Sequence, residues 1–147
     1  MNEQMLDQLS TETCIDLLRT HLVGRISVVV NQFPIVMPVN YRLVETRDAR
    51  WLVIRTRLGS EIDRGGVNAA FQIDSIDPAH RSGWSVLVRG QLSHLDDEMI
   101  SRMGEQIDPS PWVPGRDSWL ALQATQVTGR RLRAAEIEWA FHLRGYL

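Results

Sequence analysis

The chain has 147 residues, of which 44% are hydrophobic, and its formal net charge is −2 at pH 7. This length predicts one domain, residues 1–147, with one hydrophobic core. The near-neutral charge argues against a nucleic-acid-binding protein, which normally gathers a basic excess on one face. No apolar run approaches the roughly 20 residues of a membrane span, and the N-terminus lacks a basic signal region, so we expect a cytoplasmic protein that does not enter a membrane.

Side chains that could carry reactive chemistry are few. All 16 basic residues are arginines, which excludes a lysine Schiff base and favours planar recognition of anions, although genomic base composition explains the bias more simply. Cys14 is the single cysteine and has an apolar helical position, so we expect a buried, unreactive thiol. The four histidines have no metal-binding spacing and no cysteine partner, so no metal site is predicted.

The first predicted elements are a helix and a β-hairpin. Ser10 is a suitable N-cap, and the apolar residues after it have helical spacing, so a helix is predicted over 10–21. Beyond it the apolar period changes to two, and β-branched runs at 25–30 and 35–41 flank a turn at Asn31. This pattern predicts two antiparallel strands.

The rest of the chain adds strands for the most part. The predicted elements are strands at 51–56, 67–74, 83–94 and 119–133, a single turn of helix at 59–65, and a helix that begins at Asp96. Acidic residues in the first turn suit the positive end of that last helix. Six strands with few helices predict a mainly β, α+β chain folded as an antiparallel barrel or sandwich.

The segment 51–62 carries the clearest ligand-binding pattern, because an apolar strand leads through polar residues into a Gly-Ser turn that is expected to open a short helix. Backbone N–H groups at a helix start, a hydroxyl and a guanidinium together supply the donors that a phosphate monoester needs. Glu61 is unfavourable for such a ligand. The candidate donors are Arg55, Thr56, Arg57, Gly59 and Ser60.

Aromatic residues extend this pattern. Trp84 lies in a Gly-Trp-Ser setting that would place its indole beside a flat ligand, although core packing explains each of the five tryptophans taken singly. A strand end that holds a phosphate, combined with aromatic and polar strand edges, suits flavin mononucleotide (FMN). Arg55 and Ser60 would hold its phosphate, and strand backbone would pair with the polar rim of its ring.

Five short motifs occur in a fixed order: Val-Gly-Arg-Ile-Ser-Val at 23–28, Pro-Val-Asn-Tyr at 38–41, Ile-Arg-Thr at 54–56, Gly-Trp-Ser-Val-Leu-Val-Arg-Gly at 83–90 and Gly-Arg-Arg at 129–131. Together they resemble the pyridoxamine 5′-phosphate oxidase-like, flavin-binding split β-barrel family over about residues 8–133. The resemblance implies a six-stranded antiparallel split β-barrel with a few short flanking helices. It also implies a homodimer with two flavin sites at the subunit interface. The C-terminal extension, 134–147, would dock on its own barrel or on the partner.

The resemblance further implies which residues meet the cofactor. They are Val39, Asn40 and Tyr41 beside the isoalloxazine ring, Arg55 and Thr56 near the phosphate or ribityl chain, Gly59 and Ser60 at the phosphate, and Trp84, Ser85 and Arg130 close by, from the partner subunit. Many relatives carry lysine where this chain has Glu61. Glu61 either repels the phosphate or lies in the first helical turn and points away from it. Arg57, on the strand face of Arg55 if the strand continues, would replace the missing cation.

Three functions remain open at this stage. The first is an FMN-dependent oxidoreductase, in which the flavin carries a hydride to a small-molecule substrate and no protein acid or base is required. The second, which the resemblance also allows, is a deazaflavin-dependent reductase on the same fold. The third is a non-enzymatic homodimer that binds a flavin for storage or sensing, or that has lost the cofactor through Glu61. No catalytic residue is assigned.

Overall fold

The computed structural model describes residues 6–103, 115 and 117–133, and the predicted C-terminal extension at 134–147 lies outside this part of the chain. The elements are β1 Leu6–Gln8, α1 Thr11–Thr20, β2 Val23–Val30, β3 Phe33–Glu45, β4 Arg50–Thr56, β5 Val67–Asp77, β6 Ser82–His94, α2 Asp97–Met103, β7 Ser118–Gln123 and β8 Gln126–Leu132. All strand pairs are antiparallel. The predicted mainly β fold class, consistent with a split barrel, is confirmed.

The strands form one sheet in the order β1-β8-β6-β5-β2-β3-β4-β7, and β6 also pairs with β7. This second pairing closes six strands into a ring, with β8 and β1 extending the sheet from β6. The described residues contain eight strands rather than the predicted six. The difference arises because the short β1 carries no clear strand pattern and because the strand predicted over 119–133 is two strands.

The break between β7 and β8 follows from the way β6 divides its pairing. Residues Gly83–Arg89 pair with β8, and Leu92–His94 pair with β7. Gly90 lies between these two stretches, where an added Cβ would lie 1.7 Å from the Gln123 carbonyl oxygen. Only glycine permits this close approach of the corner that joins β7 to β8. The close approach to Gly90 therefore accounts for the end of β7, although the corner between β7 and β8 contains no glycine or proline.

The β2–β3 hairpin has the predicted turn, and the first half of β3 forms an edge with which no other described strand pairs. Asn31 and Gln32 have φ values of +50° and +70°, as is required in a two-residue hairpin turn that matches the right-handed twist of its strands. Residues Tyr41–Glu45 of β3 pair with β4, whereas β2 is the partner for the first half of the strand. Pro34 and Pro38 lie in that half, and proline suits an edge because it has no N–H to donate.

Helix α1 covers one side of the barrel core. The Ser10 side chain accepts a hydrogen bond from the Thr13 N–H, which confirms the predicted cap. Cys14 is fully buried as expected, and burial raises the pKa of its thiol. The helix buries Cys14, Ile15 and Leu18 against the core, whose largest members include Tyr41, Phe71, Leu52, Ile54, Leu92 and Leu120.

Helix α2 packs on the outer face of β4 and β7. The Asp96 carboxylate accepts from the Met99 N–H at 2.8 Å and begins the predicted helix. Met99 packs with Val53 and Ala121 in a second, smaller apolar cluster outside the barrel. Neither described helix is long and apolar enough to cross a membrane.

Candidate functional site

Residues 57–66, here called the 57–66 turn, join β4 to β5 by tight turns rather than by the predicted helical turn. The Asp63 N–H donates to the Ser60 carbonyl at 3.0 Å. Gly59 has a φ of +77°, which lies outside the helical region, and Ile62 is 1% exposed and packs in the core. The helix prediction is wrong because the burial of Ile62 and the conformation of Gly59 direct the backbone. No helix N-terminus is present here to hold a phosphate.

Asp63 ties the 57–66 turn to the end of the barrel. Its side chain is 7% exposed and accepts hydrogen bonds from the Gly59 N–H at 2.7 Å, from the Ser118 hydroxyl and from Nε2 of His94 at 2.8 Å. Burial alone would raise the pKa of the Asp63 carboxyl, but the bonds from Ser118, Gly59 and His94 outweigh it and lower the pKa. The carboxylate is therefore ionised at neutral pH.

The hydroxyl groups near Asp63 also have partners within the protein. The hydroxyls of Thr56 and Ser60 lie 2.7 Å apart and share a hydrogen bond. Thr56 is 4% exposed and pairs with Ser118 in the β4–β7 register. Three hydroxyl groups and one carboxylate thus form two hydrogen-bonded pairs at this end of the barrel, Thr56 with Ser60 and Ser118 with Asp63.

Arg55 points away from this polar cluster, because successive side chains of a strand lie on opposite faces and Thr56 faces inward. Its guanidinium carbon lies 4.9 Å from the centroid of the Trp119 ring, a cation–π distance. Arg57 was predicted to share the strand face of Arg55 if the strand continued to it. Strand β4 ends at Thr56, so the strand does not reach Arg57. Glu61 is exposed and is not part of a helix, so a helix dipole does not stabilise it.

Tyr41 belongs to the barrel core. Its side chain is fully buried, its hydroxyl donates to the Leu18 carbonyl at 2.7 Å, and its ring lies edge-on to Phe71 with centroids 4.8 Å apart. Its backbone N–H donates to the Leu22 carbonyl. Strand alternation directs the Tyr41 side chain inward, so this side chain is not available in the subunit for the predicted contact with a cofactor ring.

The neighbours of Tyr41 divide between the two faces of β3. Val39 packs against the core. Asn40 and Arg55 each lie one residue beyond the Tyr41–Ile54 pair of the β3–β4 register, so their side chains are neighbours on the outer face. Arg55 pairs in turn with Trp119 of β7. We call these three outward residues, Asn40, Arg55 and Trp119, the Arg55 group.

Trp84, Ser85 and Arg130, here called the β6 group, lie around the β6–β8 pair, where the Trp84 side chain packs against the barrel core and Ser85 lies on the opposite face of β6. Ser85 pairs with Arg130 in the β6–β8 register, and the Trp84 ring lies edge-on to His21 with centroids 4.9 Å apart. The three residues line a cavity of about 330 Å³. Its other walls are mainly apolar and include Leu6, Ile76, Pro78, Gly83 and Leu132.

The β6 group and the 57–66 turn lie at opposite ends of β6. Ser85 and His94 are nine residues apart on this strand, a separation of about 30 Å at the usual rise of about 3.3 Å per residue. His94 contacts Asp63 of the 57–66 turn. One subunit therefore does not bring all of the predicted site residues around a single small ligand.

Three residues at this end of the barrel were not predicted from the sequence: Asp63, His94 and Ser118. An aspartate four residues after Gly59 is a weak signal for a carboxylate that bonds back to a loop N–H. Ser118 and His94 are 55 and 31 residues from Asp63, so no local pattern relates them. Among the described residues, no group of three or more His, Cys, Asp or Glu side chains could hold a metal ion.

Comparison with known proteins places these features in a family. The family model described as pyridoxamine 5′-phosphate oxidase matches residues 10–131. The uncharacterized protein Rv0080 of Mycobacterium tuberculosis is 30% identical over 136 residues, which cover 86% of each chain. The solved FAD-binding protein of Mycobacterium smegmatis is 28% identical, with a TM-score of 0.65 over 87% of this chain and 99% of that one.

A conserved protein of unknown function from Corynebacterium diphtheriae has the same fold, with a TM-score of 0.74 at 22% identity over 87% of this chain and 98% of that one. The family model spans the barrel strands from β2 to β8 and the helix before them. The chain therefore belongs to the pyridoxamine 5′-phosphate oxidase family.

Proposed function

We propose that the chain is a flavin-binding oxidoreductase that acts on a small molecule as a homodimer. The observation that carries the proposal is the Arg55 group on the outer face of three adjoining strands. An indole ring, a guanidinium and an amide there can meet a flat ring and the hydroxyls of a ribityl chain. Family membership and the FAD-binding relative, 28% identical, support a flavin as the ligand of such a surface.

The residues present fit the ring and ribityl parts of a flavin better than they fit the terminal phosphate of FMN. The N–H of Gly59 and the hydroxyls of Ser60 and Ser118 bond within the protein. A flavin, when bound, supplies the hydride chemistry. The part of the protein is to orient the ring on the Arg55 group and to exclude water from one of its faces, which α2 assists by covering the neighbouring part of β4 and β7.

Two subunits are proposed because the Arg55 group lies at the His94 end of β6, where Leu120, next to Trp119, pairs with His94, whereas the β6 group lies at the other end of that strand. In a homodimer, Ser85 and Arg130 of one protomer can complete the site that Arg55 begins on its partner. Exposed valines on the outer face of the β2–β3 hairpin, the face on which Asn40 also lies, favour an apolar interface there. Val29 is 63% exposed and Val36 is 62% exposed, and adjacent exposed apolar side chains are typical of interaction surfaces.

The cofactor is tested by an absorbance spectrum of freshly purified protein, followed by mass spectrometry of the ligand that denaturation releases. We expect the visible absorbance of an oxidised flavin, since a flavin is the proposed cofactor. Protein that is colourless is then offered FMN, FAD and a deazaflavin in separate titrations. Uptake of the deazaflavin alone would favour the deazaflavin-dependent reductase, and uptake of none of the three would favour a cofactor-free dimer.

The shared site is tested by mixing two binding-deficient variants, Arg55→Met and Arg130→Met. If each site uses Arg55 of one protomer and Arg130 of the other, a mixed dimer has one intact site and one site with both changes. We expect flavin binding to return on mixing, at one flavin per mixed dimer. If each site lies within one subunit, mixing restores nothing, and the dimeric site is wrong. Sedimentation of the wild type provides the control for assembly.

A further inference from the structure

Asp63 is a carboxylate inside the 57–66 turn, where the sequence predicted a ligand phosphate. Its side chain is 7% exposed. It accepts hydrogen bonds from the N–H of Gly59 in the turn, from the hydroxyl of Ser118 at the start of β7 and from His94 at the end of β6. The Asp63 carboxylate therefore already accepts from these three donors at this end of the barrel.

The geometry leaves few donors for a second anion. The Gly59 N–H bond to Asp63 is short, at 2.7 Å, and the Thr56 and Ser60 hydroxyls bond to each other at 2.7 Å. A phosphate that took the Gly59 N–H would have to displace the Asp63 carboxylate. The displaced carboxylate would lose its hydrogen bonds from Gly59, Ser118 and His94, and the groups left without partners make the exchange unfavourable.

The negative charge of Asp63 also opposes the binding of a phosphate in the turn. The hydrogen bonds to Asp63 keep its carboxylate ionised at neutral pH. A phosphate monoester such as that of FMN carries a charge between −1.5 and −2 at this pH, as phosphorylated side chains do. The exposed Glu61 adds a second carboxylate to the same turn, which also carries Arg57 and Arg64, and Arg64 donates to the Glu61 carbonyl. Like charges separated by a few ångströms in a partly buried site repel strongly.

We propose that Asp63 is a specificity-determining residue that closes the 57–66 turn to the terminal phosphate of FMN. The proposal rests on the proposed flavin-binding function. A flavin is then held through its ring and ribityl chain, and its phosphate gains nothing from the turn. FMN should bind no more tightly than riboflavin, which lacks the phosphate. FAD, whose two phosphates each carry one charge and lie inside the molecule, is not placed at this disadvantage.

The test compares the dissociation constants of riboflavin, FMN and FAD for the wild type and three variants. Asp63→Asn removes the charge and keeps a similar shape. Ser118→Ala removes one donor to Asp63 but leaves its charge, so it reports the effect of loosening the turn alone. Asp16→Asn makes the same charge change on α1, where Asp16 pairs with Arg19 on the surface, and serves as the matched control.

In the wild type, Ser118→Ala and Asp16→Asn, we expect FMN and riboflavin to bind within about threefold of each other. In Asp63→Asn, FMN should gain at least tenfold over riboflavin, while the riboflavin constant stays the same. A merely structural role for Asp63 would change the binding of both flavins together. Wild-type protein that binds FMN ten times more tightly than riboflavin overturns the proposal, whether or not the Asp63→Asn variant folds.

A second measurement separates this proposal from the proposed function. Inorganic phosphate is titrated into wild type and Asp63→Asn while the backbone amide signals of Gly59 and Ser60 are followed by NMR. We expect these signals to shift in the variant and not in the wild type. If no flavin binds to either protein, the flavin function is wrong, yet the phosphate titration still decides the role of Asp63. Equal shifts in both proteins would contradict that role.

Discussion

Replacing Tyr41 with phenylalanine separates the barrel core from the candidate site. The Tyr41 hydroxyl donates to the carbonyl of Leu18 at 2.7 Å, one of the last four carbonyls of α1, which have no partner within the helix. The phenylalanine ring keeps the edge-on contact with Phe71. The change therefore removes one buried hydrogen bond and leaves the Leu18 carbonyl without its partner.

The expected loss in the free energy of unfolding is about 1.5 kcal/mol, which for a chain of this size lowers Tm by about 3–6 °C. Urea unfolding followed by circular dichroism measures the first quantity, and thermal unfolding measures the second. Flavin affinity should stay within twofold of the wild-type value, because the hydroxyl faces the interior. A large loss of flavin binding with unchanged stability would refute the placement of Tyr41 in the core.

The same variant has a characteristic pH dependence. Burial raises the pKa of the Tyr41 phenol in the folded protein above its ordinary value, which in the unfolded chain is near 10. The contribution of Tyr41 to the free energy of unfolding is therefore complete below about pH 10. Above that pH it falls by about 1.4 kcal/mol for each pH unit. The Tyr41→Phe variant lacks this loss, so the stability difference from wild type should narrow between pH 10 and 11. Arginine does not titrate in this range, so the chain's cations add no change of their own.

Three further predictions concern stability. Gly90→Ala would bring a Cβ to within 1.7 Å of the Gln123 carbonyl oxygen, and we expect a loss of about 3 kcal/mol or more, measured by urea unfolding; a loss below about 1 kcal/mol would contradict the close approach of the β7–β8 corner. Ser10→Ala removes the cap bond to the Thr13 N–H and should cost about 1 kcal/mol, whereas Ser10→Asn should cost little. Asp63 has a lowered pKa, so its contribution is present at neutral pH and is lost as the pH falls below about 4; stability of Asp63→Asn should vary less than that of wild type between pH 5 and pH 2, and parallel curves would contradict the tie between the turn and the barrel.

Local patterns account for the parts of the fold that were predicted well. The helix after Ser10 has its cap and its apolar spacing within one segment of the chain, and so does the turn at Asn31. Strand β6 was also predicted, because its alternation is strong over many residues. In each case the interactions that decide the structure join residues close in sequence, which is the information that spacing and turn residues carry.

The errors occur where distant residues decide the backbone. A Gly-Ser sequence after a strand favours a helix start, but the 57–66 turn follows instead from the burial of Ile62 and from the bonds of Asp63 to Ser118 and His94. The break between β7 and β8 depends in the same way on Gly90 of another strand. Strand alternation also directs Arg55 and Thr56 to opposite faces of β4, and the contacts of these two residues with a cofactor stay a prediction.

This alternation has a consequence for how variants of the chain will behave. Inward residues such as Tyr41 support the barrel, so their replacement should change unfolding and leave ligand affinity as it was. Outward residues such as Asn40 and Arg55 belong to the proposed flavin site, so their replacement should change flavin binding and leave unfolding almost unaffected. Asp63 belongs to neither class, because it lies at the end of the barrel where the inward side chains reach the turn. A substitution there must therefore alter both properties, and the FMN to riboflavin ratio is the quantity that separates them.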